Sequence, residues 1–463
     1  MFNQEVLNEL IKALGKDKVL SDREDLIAYS YDATAAVPRQ EPDVVVTPTS
    51  TEDVVEVVKI ANRYKLPIYP RGSGTNLSGG AIPLQKGIVL TTWKMNKILE
   101  LDTDNLVATV QPGVVIQALN DEAMKHGLMY PPDPGTVSTA TMGGSVSECS
   151  GGLKGLKYGV TKHYVMGLEV VLGSGEVIKW GGKTVKNVSG YDLTALFTGA
   201  EGTLGIITKI LVKLTPIPEA KKSLLAVFDD LDKAGNAISD IIRHKVIPAT
   251  LEILDKVTIG TVENFTHAGL PTDAEAVLLI EVDGYKEVVE REAPIVEKVC
   301  RDNGAVDIKV AKTDEERDKI WFARRNALPS LAQVKPALVL EDATVPRSKI
   351  PDIIKEIRKI AEKYNLLIGT YGHAGDGNLH PTIVIDPRDE DEVQRMHKAV
   401  DEIFHAAIGL GGTLSGEHGI GIGKVRYLPL EFGEAGVRVI RRIKEALDPN
   451  YVLNPGKMVL REE

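Results

Sequence analysis

Between residues 67 and 213 the chain gathers glycines into the ends of strand-like runs, first in Pro70-Arg71-Gly72-Ser73-Gly74-Thr75-Asn76-Leu77-Ser78-Gly79-Gly80. A stretch this bare constrains the fold, because glycine alone reaches positive φ freely and carries no Cβ to hold a ligand off the main-chain N–H groups. A second stretch runs from Pro131-Pro132-Asp133-Pro134-Gly135 through Thr141-Met142-Gly143-Gly144 to Gly151-Gly152 and Lys157-Tyr158-Gly159. A third reads Gly199-Ala200-Glu201-Gly202-Thr203-Leu204-Gly205-Ile206-Ile207. Average usage is about 7 % glycine, so clusters of this density exceed what tight turns alone require. Three loops of this kind point to one long ligand bearing a diphosphate. A dinucleotide fingerprint of the Rossmann type would place a third glycine three residues after Gly74, where Leu77 stands, and the Walker A spacing is absent.

Bulk properties narrow the class. At 463 residues, 43 % hydrophobic and 26 % charged, the chain has room for two or three domains with a large core. Lys and Arg number 55 against 65 Asp and Glu, a net charge of −10, and no dense basic run is present, which argues against a nucleic-acid partner. The start, Met1-Phe2-Asn3-Gln4-Glu5, lacks the basic and apolar regions of a signal peptide. No apolar run approaches the roughly 18 residues of a membrane span. The expectation is a cytoplasmic protein with no integral membrane segment. Cys149 and Cys300 are the only cysteines, too few for a cluster held by four thiolates, so an electron relay beyond a bound cofactor belongs to another chain.

Periodicity organises the rest. A helix over 5–14, a strand over 43–46, a helix from a Ser50 cap to 64 with Asp53 completing a capping-box pattern, and a strand over 66–69 make a βαβ unit that delivers the chain to Arg71. Pro67 is tolerable there at an edge or a strand start. Strands over 88–92, 98–101 and 107–110 and a helix over 114–126 follow, and a second lobe is expected from near Thr141, with strands over 165–172, 176–179 and 203–213. Thr215-Pro216-Ile217-Pro218 marks a boundary. Beyond it, strand 223–228, helix 231–243, strands 250–254 and 276–282, helix 288–303 and strand 306–310 give the β-α-β-β-α-β order of a split βαβ unit. A helix over 350–364, strands over 366–371 and 381–385, a helix over 390–408 and a strand near Gly412 suggest a related second pass, before a helix over 435–447 with a proline stop. The expected domains are 1–215, 216–425 and a returning segment, 426–463.

The motifs Pro70-Arg71-Gly72-Ser73-Gly74-Thr75, Pro131 to Gly135 with Gly143-Gly144, Asn187-Val188-Ser189-Gly190-Tyr191-Asp192-Leu193 and Gly199 to Gly205 together resemble the FAD-binding domain of the vanillyl-alcohol oxidase and p-cresol methylhydroxylase flavoproteins. Within it the chain is most similar to the glycolate oxidase flavin subunit and the D-lactate and D-2-hydroxyglutarate dehydrogenases. The resemblance spans nearly the whole length. It implies an α+β fold, a two-lobed PCMH-type FAD-binding domain plus a ferredoxin-like α+β cap, with Asn454 to Met458 returning to the flavin. The FAD site it implies draws on Pro70, Arg71, Gly72, Ser73, Gly74, Thr75, Asn76 and Gly79, then Pro134, Gly135, Thr141, Gly143, Gly144, Ser147, Gly151, Tyr158 and Gly159, and last Glu201, Gly202, Gly205, Ile206, Ile207 and Asn454. Some members of the superfamily tether FAD through a histidine near the first loop. None of the nine histidines precedes residue 126, so FAD is expected to be noncovalent, with His163 a remote alternative for attachment.

Tyr371-Gly372-His373-Ala374-Gly375-Asp376-Gly377-Asn378-Leu379-His380, followed by Ser415-Gly416-Glu417-His418-Gly419, is the second informative region. A Gly-Asp-Gly-Asn turn lets both imidazoles sit at one end of a sheet, and Glu417 follows the next helix. Two neutral imidazoles and a carboxylate make an open three-ligand site for Zn²⁺ or Fe²⁺. The plainer alternative is a glycine-rich loop whose histidines only hydrogen-bond. His397 and His405 lie on an amphipathic helix and are packing or surface residues. In the resembling dehydrogenases the positions matching His373, His380 and Glu417 bind a divalent metal, and that matching His418 meets the substrate. Arg324 matches a carboxylate-binding arginine, its plainer reading being a helix salt bridge. Leu328 and Thr382 stand where the D-2-hydroxyglutarate enzymes carry a threonine and an asparagine, and no lysine replaces the one expected near Leu340. A small monocarboxylate such as D-lactate or glycolate is therefore expected. The resemblance implies oxidation to the 2-oxo acid, with His418 as base and Arg324 on the carboxylate. It further implies electron transfer to an electron-transferring flavoprotein or iron–sulfur subunit, in a homodimer or hetero-complex. A non-redox transferase like alkyldihydroxyacetonephosphate synthase is the alternative.

Overall fold

Ser50 opens the first regular layer: its hydroxyl accepts from Asp53 N at 3.2 Å, and the helix Thr51–Tyr64 runs until Lys65 turns left-handed. Asp53 does not close the reciprocal half of a capping box. Its carboxylate accepts from Thr49 and Lys18 instead. The flanking strands Val44–Val46 and Ile68–Arg71 both run parallel to Ile88–Thr91, which lies between them. Together with Val19–Leu20 they form a four-stranded sheet with Ile68–Arg71 at one edge, where the missing N–H of Pro70 interrupts no ladder. The computed structural model describes residues 2–35, 37 and 39–460.

A second, antiparallel sheet has the order Ile98–Asp102, Val107–Val110, Gly205–Lys213, Val165–Leu172, Val177–Gly181. The sequence placed the strands near 98 and 107 ahead of the second lobe. The structure puts them inside it, because Val107 pairs with Lys213 and Val110 with Ile210. Val171 and Ile206 of this sheet share one core with Val54, Val57, Val58 and Ile60 of the helix and with Val44, Ile68 and Leu90 of the first sheet. Burying a single such side chain is worth about 1.5–3 kcal/mol, which is what locks the two sheets of this lobe pair together.

The described residues divide into two units, one within Met1–Ser150, Val160–Ile217 and Glu417–Glu463, the other within Gly151–Gly159 and Pro218–Gly416. The chain thus leaves the first unit two residues after the expected boundary at 215 and returns at Glu417, ahead of residue 426. Residues 151–159 join the second unit because Lys157 and Tyr158 both bond the Asp283 carboxylate, Tyr158 at 2.7 Å.

In the second unit the β-α-β-β-α-β order forms as read, with one addition, the helix Lys256–Thr266. Its strands lie in the order Asp307–Val310, Ala220–Phe228, Ala276–Gly284, Thr250–Asp255, all antiparallel. The expected second pass extends this sheet rather than repeating the unit: Leu367–His373 pairs with Thr250–Asp255, Asn378–Ile385 follows, and Ala337–Leu340 closes the row. The strand expected near Gly412 is a single bridge, Thr413 to Thr344. The C-terminal helix, Leu428–Leu447, is broken at Gly433 (φ 64°), so its regular part starts where the sequence placed it. No helix among the described residues is long and apolar enough to cross a membrane.

Candidate active site

In the second unit the hairpin fixes the geometry. Tyr371 pairs with His380 and His373 with Asn378, so alternation along the strands puts all four side chains on one face. The His373 and His380 rings stand edge to face with centroids 5.1 Å apart, and Tyr371 lies 5.7 Å from His380. Both histidines are buried. Gly372 makes the tight hairpin possible: at φ 152° a Cβ there would fall 2.5 Å from the Asn378 carbonyl.

Behind His373 lies a residue that the motifs did not single out. Glu252, wholly buried in Thr250–Asp255, accepts from Arg324 Nε at 2.6 Å on one oxygen and meets His373 Nδ1 at 2.6 Å on the other. Burial pushes its carboxyl up, but the charges of Arg324 and His373 outweigh burial and hold it at about 2. Glu252 is therefore an acceptor only, and His373 Nδ1 is the donor to it. Arg324 comes from the helix Asp314–Arg325, and its guanidinium also sits 5.0 Å from the Tyr371 ring. The plainer reading of Arg324 as a salt-bridged helix residue is realised, but its partner is the carboxylate that orients a site histidine. One signal in the sequence marked Glu252: a single acid inside the apolar run Leu251-Glu252-Ile253-Leu254. Asp342 is a second missed acid, wholly buried, accepting from Ser415 Oγ at 2.6 Å and from the Asn378 amide.

Leu328, Leu338 and Leu340 pack on Tyr371, Trp321 and Ala327 in one apolar cluster, and Thr382 is fully buried opposite Leu340. Glu417 and His418 belong to the first unit, immediately after Gly416 of the second. Their side chains are 3.8 Å apart, His418 Nε2 to Glu417 Oε1.

The first unit brings most of the expected cofactor residues together. Gly72 approaches the start of the helix Met142–Glu148 so closely that a Cβ would meet Thr141 Oγ1 at 2.3 Å, and Thr141 caps that helix through Gly144 N. Arg71 is buried, donates to the Tyr31 carbonyl at 2.6 Å and lies against Gly74. Ser147 accepts from Glu201 N, and Asn76 donates to Asp32. Asn454 donates to the carbonyls of Gly80 and Glu201, at 3.0 and 2.7 Å, and so ties the returning tail to two of the glycine loops. Gly79, Gly143, Gly202 and Gly205 sit at close approaches within the same unit, beside Ile422, Pro112, Pro70 and Val170, and Ile206 and Ile207 continue the Gly205 strand. Pro134 and Gly135 lie in the loop before Thr141, where Val137 N donates to the Pro134 carbonyl. Gly151, Tyr158 and Gly159 are placed in the other unit. His163 Nδ1 accepts from Val160 N and so serves its own turn.

These loops enclose a buried charge cluster. Lys457 donates to the carbonyls of Gly80 and Ile82 and to Asn454 Oδ1, at 2.7, 2.6 and 2.9 Å, and burial drives its ammonium down to about 7 despite Asp32, Glu201 and Glu148. Glu201 accepts from Ile420 N and Gly421 N at 2.6 and 2.7 Å. Burial, then the neighbouring Glu201 charge, raise the Glu148 carboxyl well above the usual range.

The donor sets suit the implied groups. The exposed hydroxyls of Ser73 and Thr75, 3.5 Å apart beside bare backbone, match a pyrophosphate. The buried His373 and His380 rings, side by side, match a divalent ion with nitrogen preference.

Residues 42–181 match the FAD binding domain family, and residues 217–458 match FAD linked oxidases, C-terminal domain. The fold is that of p-cresol methylhydroxylase, with a TM-score of 0.81 at 21 % identity over 98 % of this chain and 96 % of that one. Fold and cofactor domain define a flavoprotein oxidoreductase. More narrowly, the chain belongs to the FAD-linked oxidase family. It is 49 % identical to the glycolate oxidase subunit GlcD of Bacillus subtilis over 100 % of this chain and 98 % of that protein. It is 36 % identical to a D-lactate dehydrogenase of Anaerostipes hadrus over 97 % of this chain and 96 % of the other.

Proposed function

We propose that this chain oxidises a small D-2-hydroxy acid, D-lactate or glycolate, to the 2-oxo acid, using noncovalent FAD and a divalent metal, and yields its electrons to a separate protein. The observation that carries this reading is the shared face of His373, His380, Tyr371 and the Glu252–Arg324 pair, in a chain 49 % identical to a glycolate oxidase subunit.

FAD, held by the loops around Arg71, Gly72, Thr141 and Glu201, supplies the two-electron acceptor for the hydride leaving the substrate Cα. A divalent ion held by His373, His380 and Glu417, Zn²⁺ or Fe²⁺, supplies Lewis-acid polarisation of the hydroxyl. Arg324 binds the substrate carboxylate through its Nη atoms, since Nε is committed to Glu252. His418 takes the hydroxyl proton. The apolar cluster of Leu328, Leu338 and Leu340 offers no partner to a second carboxylate, which favours a monocarboxylate. With two cysteines in the chain, the next electron carrier is a partner, an electron-transferring flavoprotein or an iron–sulfur subunit, within a homodimer or hetero-complex in the cytoplasm. Anaerobic addition of D-lactate or glycolate should bleach the flavin absorbance, while L-lactate and D-2-hydroxyglutarate should act at least tenfold more slowly. Equal bleaching by the dicarboxylate, or none by any 2-hydroxy acid, would overturn the proposal. Acid precipitation should leave FAD in the supernatant.

A further inference from the structure

Glu252 occupies a position that no carboxylate reaches by accident of surface charge: it is fully buried mid-strand and both of its oxygens are engaged, one by Arg324 Nε and one by His373 Nδ1, each at 2.6 Å. An isolated buried carboxylate is costly, and one held by a guanidinium and an imidazole is tolerated only while both partners stay in place. The constraint acts in both directions. Arg324 is gripped at Nε, which fixes the direction of its Nη edge, and His373 is gripped at Nδ1, so that a metal ion can meet it only through Nε2. The helix Asp314–Arg325 and the strand Leu367–His373 are unconnected locally in sequence, so a single side chain on a third element, Thr250–Asp255, registers the two against each other.

We propose that Glu252 is a positioning residue that sets the His373 tautomer for metal binding and the Arg324 edge for substrate carboxylate binding, so that both affinities depend on one carboxylate. This rests on the proposed function, in that His373 binds metal and Arg324 binds substrate. Glutamine at position 252 keeps the size but can accept from only one partner through its oxygen, and its amide cannot accept from His373 Nδ1–H. The Glu252→Gln chain should therefore retain FAD, bind Zn²⁺ about 10–100-fold more weakly in chelator competition on metal-stripped protein, the range for an outer-shell partner of a ligating histidine, and show a KM for D-lactate raised about tenfold or more. Glu252→Asp keeps the charge and should recover part of at least one affinity. A fold-stabilising role alone would lower flavin content and Tm while leaving Zn²⁺ affinity and KM within about twofold in the folded fraction, and that result would overturn the proposal.

The tautomer supplies a test that needs no altered Glu252. In ¹⁵N-histidine spectra of the native, FAD-loaded, metal-stripped chain, with His373 assigned by its loss in His373→Gln, Nδ1 should carry a proton. A bare Nδ1 refutes the proposal whether or not Glu252→Gln folds. Should the native chain bind no Zn²⁺ or Fe²⁺ at all, the metal part of the proposed function fails. The tautomer, together with a KM rise in Glu252→Gln that is absent when Arg324→Lys is already present, still decides the role of Glu252.

Discussion

Two buried glutamates in this molecule have opposite electrostatics. Glu252 in the second unit is held at about 2 because a guanidinium and an imidazole contact its two oxygens, whereas Glu148 in the first unit is raised by burial and by Glu201 beside it. Burial acts in the same direction on both, so the neighbours decide. A carboxylate kept ionised can orient cations and fix a tautomer. A carboxyl kept neutral can only fill space and hydrogen-bond, and it stands in the first unit beside Lys457, which ties the carbonyls of Gly80 and Ile82. The comparison teaches that neighbours and not burial set a carboxylate's charge: in the first unit they brace glycine loops, and in the second they let one carboxylate orient a guanidinium and an imidazole.

His418 offers the largest test of that division, because it lies in the first unit one residue after Glu417. Its replacement by glutamine should keep FAD and metal yet slow anaerobic flavin reduction by D-lactate about 10²–10⁴-fold in stopped-flow absorbance, the span for a lost general base. Near-normal reduction would confine the chemistry to the second unit and FAD. His380→Ala comes next. Elemental analysis should show loss of stoichiometric metal with FAD content unchanged, and loss of both would mean that the two units do not hold their groups independently.

Smaller effects separate the two glutamates directly. The folded pKa of Glu252 lies below its ordinary 4.5, so the unfolded chain binds more protons between pH 4.5 and about 2. Its contribution is complete above that window and disappears as pH falls through it. In urea titrations the native chain should exceed Glu252→Gln in stability by about 3 kcal/mol at pH 6, with the gap closing as pH falls towards 2. A gap that does not change with pH would mean Glu252 acts by packing. For Glu148 the sign reverses. The folded state keeps a proton that the unfolded chain releases above 4.5, so stability falls as pH rises through the raised pKa. Glu148→Gln should therefore stabilise at pH 8, by about 1 kcal/mol, and a loss there would show Glu148 to be ionised.

Much of this was legible in the chain. The split βαβ order of residues 220–310, the helices Leu231–Arg243 and Ile350–Tyr364, and the histidine hairpin follow from periodicity and turn chemistry, because amphipathic spacing and a Gly-Asp-Gly-Asn turn are local properties. The glycine loops declared a ligand by composition. Tertiary structure decided what depends on partners distant in sequence. It set Val107 opposite Lys213, which moved two strands into the second lobe, and it continued the cap sheet through Leu367–His373 instead of repeating the unit. It also set Glu252 between Arg324 and His373, respectively 72 and 121 residues away along the chain. A sequence records that an acid sits in an apolar strand. Which cations meet it, and hence whether it is ionised, is fixed only when the strand, helix and hairpin pack, because Coulomb interactions and hydrogen bonds act over a few ångströms of space and not along the chain.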